Sequence, residues 1–187
     1  MLTEKAILKT ETVFSEDRRH RYLLRKEWDT KKPRATIVMT NPSSADLMTM
    51  DYTTLYIINN VVRLDFGSVD IVNMVSKITT RLDVKNDIDS KADRENIDFI
   101  VKSADKADKV IIAWGKLGEN NKKVRDLQES LLETLRPFKE KLYIIASNNG
   151  EDGFHPLAPQ IRFSWVLKKF DIEAALPPKT ETPSTSQ

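Results

Sequence analysis

The sequence predicts an α/β protein: a three-layer αβα sandwich around a mainly four-stranded parallel sheet, with an N-terminal antiparallel hairpin added. Two observations predict it. Four short runs rich in apolar and β-branched residues, 35–39, 69–74, 109–114 and 141–146, read as strands covered on both faces. The stretches between them carry apolar residues at helical spacing, and alternation of strand and helix is the pattern of parallel strands joined by right-handed crossovers.

Each element has its own signal. Thr12 to Phe14 and Arg21 to Trp28 flank the charged turn from Ser15 to His20, which predicts a hairpin within about residues 10–30 on the sheet's edge. After the strand at 35–39, a helix is expected from Thr54 to Leu64, before the strand at 69–74. From Ala92 to Ala104, the residues Ile97, Ile100, Val101 and Ala104 fall at i, i+3, i+4 and i+7, one face of a helix. A further helix from Asn120 to Phe138 carries Val124, Leu127, Leu131, Leu132 and Leu135 on one stripe. Beyond the strand at 141–146, a last helix is expected over Ile161 to Phe170, packing through Phe163, Trp165, Val166, Leu167 and Phe170. The chain of 187 residues suits one domain, 1–172, followed by a disordered tail at 173–187 whose end is rich in Pro, Ser and Thr.

Composition narrows the chemistry. There is no cysteine and there are two histidines, which excludes disulfides, Cys-based zinc or iron–sulfur sites, cysteine nucleophiles and three-histidine metal centres. No dinucleotide fingerprint, Walker loop, Gly-x-Ser-x-Gly elbow or His-Glu-x-x-His helix occurs, and no cofactor is expected. Neither a secretory n-region nor an apolar run of the ~18 residues needed to span a bilayer is present, so a cytoplasmic protein without a membrane partner is expected. Net charge is only +2, yet eight basic and two acidic residues lie between Arg18 and Arg34. Arg18, Arg19 and Arg21 are therefore candidates for contact with a nucleic-acid backbone, the alternative being a solvated surface.

In a doubly wound sheet, ligands bind beyond the carboxyl ends of the strands. Here those ends are polar. Thr40, Asn41, Pro42, Ser43, Ser44 and Asp46 follow the first apolar run, Asn73 sits in the second, Trp114 and Gly115 end the third, and the fourth leads to His155 and Pro156. A pocket lined by amides, hydroxyls and an imidazole is expected, although a turn with a helix cap would equally explain Asn41 to Ser44. Asp46 and Asp51 also leave open a Mg²⁺ site beside a phosphate.

The order of these motifs is similar to that of an uncharacterised bacterial and phage family, domain-of-unknown-function family 1643. The resemblance runs from about Phe14 to Phe170. It is carried by Arg21-Tyr22 with Trp28, Thr40 to Asp46, Asp51 with Thr54, Val72 to Met74, Asn96, Ala113 to Gly115 and His155 to Leu157. That family in turn resembles the uracil-DNA glycosylase superfamily, with its water-activating motif, its Asn on the second strand, its Trp-Gly end to the third and its His-Pro motif. The resemblance implies that Asn41 positions a water molecule, that Asn73 reads the edge of a base and that His155 donates to the base oxygen as the glycosidic bond breaks. Thr40, Pro42, Ser43, Ser44, Asp46, Trp114 and Gly115 would complete the pocket. The Asp-Pro-Tyr-His form of the first motif is absent, and Leu157 follows His-Pro where the glycosylases usually have Ser. The expected activity is hydrolysis of an N-glycosidic bond in nucleic acid. The alternatives are a non-catalytic module for a nucleobase, a nucleotide or single-stranded DNA, and Mg-dependent nucleotide chemistry.

Overall fold

The four apolar runs become the centre of a sheet. In a computed structural model, which describes residues 1–43, 45–79, 82, 83, 87 and 90–176, they form β3 (Arg34–Met39), β4 (Ser68–Asn73), β5 (Lys109–Ile112) and β6 (Leu142–Ala146). All neighbours among these four are parallel, and β3 lies between β4 and β5. The chain therefore leaves β3 toward one side and later crosses to the other, so that the loops after β3 and β5 diverge.

Antiparallel strands close both ends. The expected hairpin is present as β1 (Lys9–Phe14) and β2 (Arg21–Glu27), with β2 joined to β4. At the other end β7 (Val166–Lys169) pairs antiparallel with β6, matching Ile145 to Leu167. This corrects the expected helix over Ile161 to Phe170. The apolar residues of that segment fit either period, and the open hydrogen-bonding edge of β6 selects the strand. The sheet is thus seven-stranded and mixed.

Helices cover both faces, as side-chain alternation requires. Ile37, Ile71 and Ile111 pack with Ile57 and Val61 of α1 (Tyr52–Arg63) and with Ile161 and Trp165. Val38, Val72, Val110 and Ile112 pack with Ile100 and Ala104 of α2 (Ser90–Lys106), and with Val124, Leu131 and Leu135 of α3 (Lys122–Leu135). A 3₁₀ segment, Arg136–Lys141, ends the expected third helix, with Pro137 near its start. Past β7, the short α4 (Ile172–Ala175) and Leu176 return to the core. Residues 177–187, most of the expected tail, lie outside the described residues. No helix among the described residues is long and apolar enough to cross a membrane.

Several polar groups inside the sheet are matched individually. The Thr36 hydroxyl donates to the Ser103 carbonyl at 3.0 Å. Asp70, fully buried on β4, accepts from Arg25 Nε at 2.7 Å and Nη2 at 2.8 Å, while Arg25 Nη1 donates to Glu11. Removing one partner from a buried pair leaves an uncompensated charge and costs about 3–5 kcal/mol. Arg25 keeps Glu11 and 21% of its side-chain exposure. Asp70→Ala is therefore expected to fall at the low end, about 3 kcal/mol, in urea unfolding; a loss under about 1 kcal/mol would show that solvent compensates the guanidinium.

Candidate functional site

The ends of β3 and β4 and the loop after β6 enclose a cleft of about 340 Å³, within the ~300–1,000 Å³ usual for small-ligand sites. Met39 and Asn41 come from β3 and its loop, Ile71 and Asn73 from β4, and His155 and Leu157 from the loop after β6. Thr53, Thr54 and Ile57 of α1 form another wall, and Ser43, Thr79 and Arg21 complete the lining. The structure thus brings Asn41, Ser43, Asn73 and His155 together.

Asn73 ends β4 with its side chain 1% exposed. Its main-chain carbonyl is held at 2.8 Å by the side-chain amide of Asn96, which is itself fully buried on α2. The Asn73 carboxamide lines the cleft, and neither its Nδ2 nor its Oδ1 has a hydrogen-bond partner. Leaving a buried polar group unpaired costs about 1–3 kcal/mol. Both hydrogen-bonding groups of this side chain are thus unmatched by the protein around it.

Asn41 is oriented differently. Its Nδ2 donates to the Thr79 carbonyl at 2.6 Å and more weakly to the Pro42 carbonyl at 3.3 Å. With the donor engaged, Oδ1 is the acceptor left to this side chain, which lines the cleft. Thr40 is buried, and its hydroxyl donates to the Trp114 carbonyl at 3.2 Å, tying the loop after β3 to that after β5.

His155 is half-buried, and the Leu157 amide donates to its Nδ1 at 3.2 Å. In the neutral imidazole the proton then resides on Nε2, which becomes a donor. Burial lowers the pKa of this ring below the ordinary 6.5, and the nearby Asp51 charge opposes the shift. Gly115 makes the close approach possible: at φ +70° it adopts a left-handed conformation, and a Cβ there would lie 3.1 Å from that of His155.

Asp51 caps α1, accepting from the Thr54 amide at 2.7 Å. Burial favours its neutral form, but the Ser43 hydroxyl, the Thr54 amide and hydroxyl and the Arg21 charge together hold its pKa below the usual carboxylate value. Asp46, outside the cleft lining, accepts from the Met48 amide at 2.9 Å and the Thr49 amide at 2.8 Å. Each carboxylate is thus engaged with the backbone, and among the described residues no three His, Asp or Glu side chains gather as metal ligands. Trp114 and Gly115 line a neighbouring cleft of about 210 Å³ with Gln128 and Asp152. Pro42 is buried, and Ser44 lies outside the described residues.

The basic stretch mostly cancels itself. Arg19 pairs with Asp17, Arg25 with Asp70 and Glu11, Lys32 with Asp65, and Arg34 with Glu27. Arg18 stacks over Phe14, and Lys26 is buried against the Leu47 carbonyl. Arg21, expected at the surface facing a nucleic-acid backbone, is instead 2% exposed and lines the cleft. A β-bulge explains this. Phe14 pairs with Arg21 and Val13 with Leu23, leaving Tyr22 as the extra residue; a bulge re-aims the side chains beyond it. Leu23 packs on the α2–α3 face, whereas Arg21 shares the cleft with Ile57 and Ile71 on the α1 face. Nothing in the local sequence signals such a bulge, and Arg21 was legible as one of several cations and as part of the Arg21-Tyr22 motif, not as a buried group.

The model of the family described as "Protein of unknown function (DUF1643)" matches residues 21–157. The chain belongs to this family. The matched span begins at Arg21 and ends at Leu157, and it contains every residue lining the cleft at the ends of β3 and β4. No curated protein and no solved structure matches the chain.

The ring of His155 gives a direct test. Because its pKa is lower in the folded protein, the unfolded chain takes up this proton first as pH falls. Its contribution to stability is complete above about 6.5, the unfolded value, and is lost as pH falls toward the folded one. Titration by ¹H–¹⁵N NMR should find a midpoint below 6.5 and the Nε2–H tautomer at neutral pH. A proton on Nδ1 would contradict the Leu157 hydrogen bond.

Proposed function

We propose that this protein is a uracil-DNA-glycosylase-like hydrolase that accepts a nucleobase in the cleft at the ends of β3 and β4 and breaks its N-glycosidic bond in nucleic acid. The observation that carries this reading is the Asn73 carboxamide, buried, unpartnered and facing the same cleft as His155. A primary amide presents a donor and an acceptor side by side, complementary to the Watson–Crick edge of a flipped base. A neutral imidazole with its proton on Nε2 can donate to a base oxygen on which negative charge grows as the bond lengthens.

Asn41 Oδ1 would accept from a water molecule and orient it toward the anomeric carbon. The new C–O bond forms as the C–N bond breaks, the electron pair leaves with the base, and the water's proton passes to solvent or to the base. An amide is no general base, so positioning and electrostatics carry the reaction. The three-layer arrangement of the glycosylases fits helices on both faces of the sheet, and a cytoplasmic location suits the substrate.

A second reading, binding of single strands without chemistry, is favoured by one feature of the surface at α1. Tyr52 and Phe163 are 73% and 68% exposed, Tyr56 lies between them, and Arg162 sits over the Tyr56 ring. Exposed aromatic rings beside arginine form stacking platforms for unpaired bases.

The two readings separate in one assay. Single- and double-stranded oligonucleotides carrying uracil, mispaired thymine, hypoxanthine or hypermodified pyrimidines are incubated with the protein and cleaved by alkali. Glycosylase action gives strand breaks at one base, and Asn41→Ala should lower the rate by about 100-fold or more, as removal of a preorganised polar group does, without changing the circular dichroism. Salt-sensitive strand binding with no release by the folded protein would favour the second reading.

A further inference from the structure

The strand β2 carries two largely buried guanidinium groups that are treated in opposite ways. Arg25 presents its Nε and Nη2 to both oxygens of Asp70, the side-on bidentate arrangement that arginine uses for oxyanions. Arg21 uses a different nitrogen: Nη1 donates to the carbonyls of Ala45 at 2.5 Å and Ser43 at 3.4 Å. Its Nε is buried without a partner, and among the described residues no carboxylate lies within ion-pairing distance of it. The nearest acidic influences, Asp51 and Asp46, act on it through space only. Burial lowers its pKa to about 10, so it is still a cation at neutral pH. A buried cation without a counter-ion is costly, and the bulge at Tyr22 places this one in the cleft beside the open carboxamide of Asn73.

We propose that the Nε/Nη2 edge of Arg21 receives the phosphate of a nucleotide, so that the cleft takes a phosphorylated nucleoside, either free or as one unit of a strand. The inference rests on the nucleobase reading above and adds the second recognition point. Asn73 selects the base, and Arg21 supplies the positive charge that a nucleoside without phosphate leaves unused. Carbonyl anchorage of Nη1 fixes the plane of the guanidinium before the ligand arrives, which reduces the ordering cost of binding.

Calorimetric titration of the full chain with uridine, uridine 5′- and 3′-monophosphate, inorganic phosphate and a uridine-centred pentanucleotide tests this. A monophosphate or the pentanucleotide should bind at least about 10-fold tighter than uridine, the scale of one charge-assisted hydrogen bond. Arg21→Gln should abolish the difference, and Arg21→Lys should restore only part of it, since an ammonium is a point charge. Arg21 also holds the carbonyls of Ser43 and Ala45, so a wild-type readout is needed: its Nε–H resonance should shift on addition of phosphate. The free monophosphate outbinding the pentanucleotide identifies a free nucleotide, and the reverse identifies a strand. Equal affinity for uridine and all its phosphorylated forms, with an unmoved Nε–H signal, overturns the role of Arg21 while leaving the nucleobase reading intact. Phosphate binding through Arg21 with no discrimination by the base upholds the anion site and removes the nucleobase reading. Silence with every probe at millimolar concentration overturns both.

Discussion

The position of β3 governs the molecule. It is the first of the parallel strands in the chain, yet it lies inside the sheet, so later strands must be added on both sides of it. Loops that leave β3 and β5 in opposite directions diverge over the strand ends, and the cleft opens beside them, between the ends of β3 and β4 and the loop after β6. The residues around that opening are held by backbone contacts that continue the sheet past its last pairs. The Met74 amide donates to the Met39 carbonyl at 2.8 Å, the Val75 amide to Thr40 at 2.9 Å and the Ala113 amide to Val38 at 2.9 Å. The cleft therefore sits on rigid backbone, which is what precise placement of a few side chains requires.

Within that frame, several buried polar side chains away from the cleft are paired: Thr36 with Ser103, Asp70 with Arg25, and His20 with Ser76 at 2.9 Å. The Ser147 hydroxyl and the Trp165 indole nitrogen are buried without a partner. At the cleft, the Thr79 carbonyl takes up the Asn41 amide donor, Asn96 holds the main-chain carbonyl of Asn73, and both atoms of the Asn73 carboxamide are without a partner. The same contrast separates Arg25 from Arg21 within one strand. A fold selected for stability alone would pair these groups or replace them with apolar ones.

The sequence made the centre of the fold legible because a parallel strand buried on both faces must be apolar at successive positions, as Ile37-Val38-Met39 and Val110-Ile111-Ile112 are. The helices were legible for the same reason, through the spacing of Ile100 and Ala104 or of Leu131 and Leu135. The segment around Trp165 was not, since its period is ambiguous and the β6 edge that decides it lies some twenty residues earlier in the chain. At the site, Asn41, Asn73 and His155 stood out because polar residues at strand ends conflict with the apolar pattern around them. Arg21 was read as a surface cation for a nucleic-acid backbone and Lys26 as one more charge of the same stretch, because a cation in a charged stretch looks solvated whether or not the fold buries it. Burial of a single charged side chain is a tertiary fact, here set by one bulge and one loop.

The sheet's last strand has a consequence for the protein at high concentration. A sheet that ended at β6 would offer an uncovered row of amides and carbonyls flanked by Tyr143 and Ile144, a template on which a second copy could build. β7 occupies that row with only four residues, two of which are Lys168 and Lys169, paired with Asp152 and Glu140. A short, charged margin resists further strand addition, so crowding should leave this end of the molecule free of fibre growth.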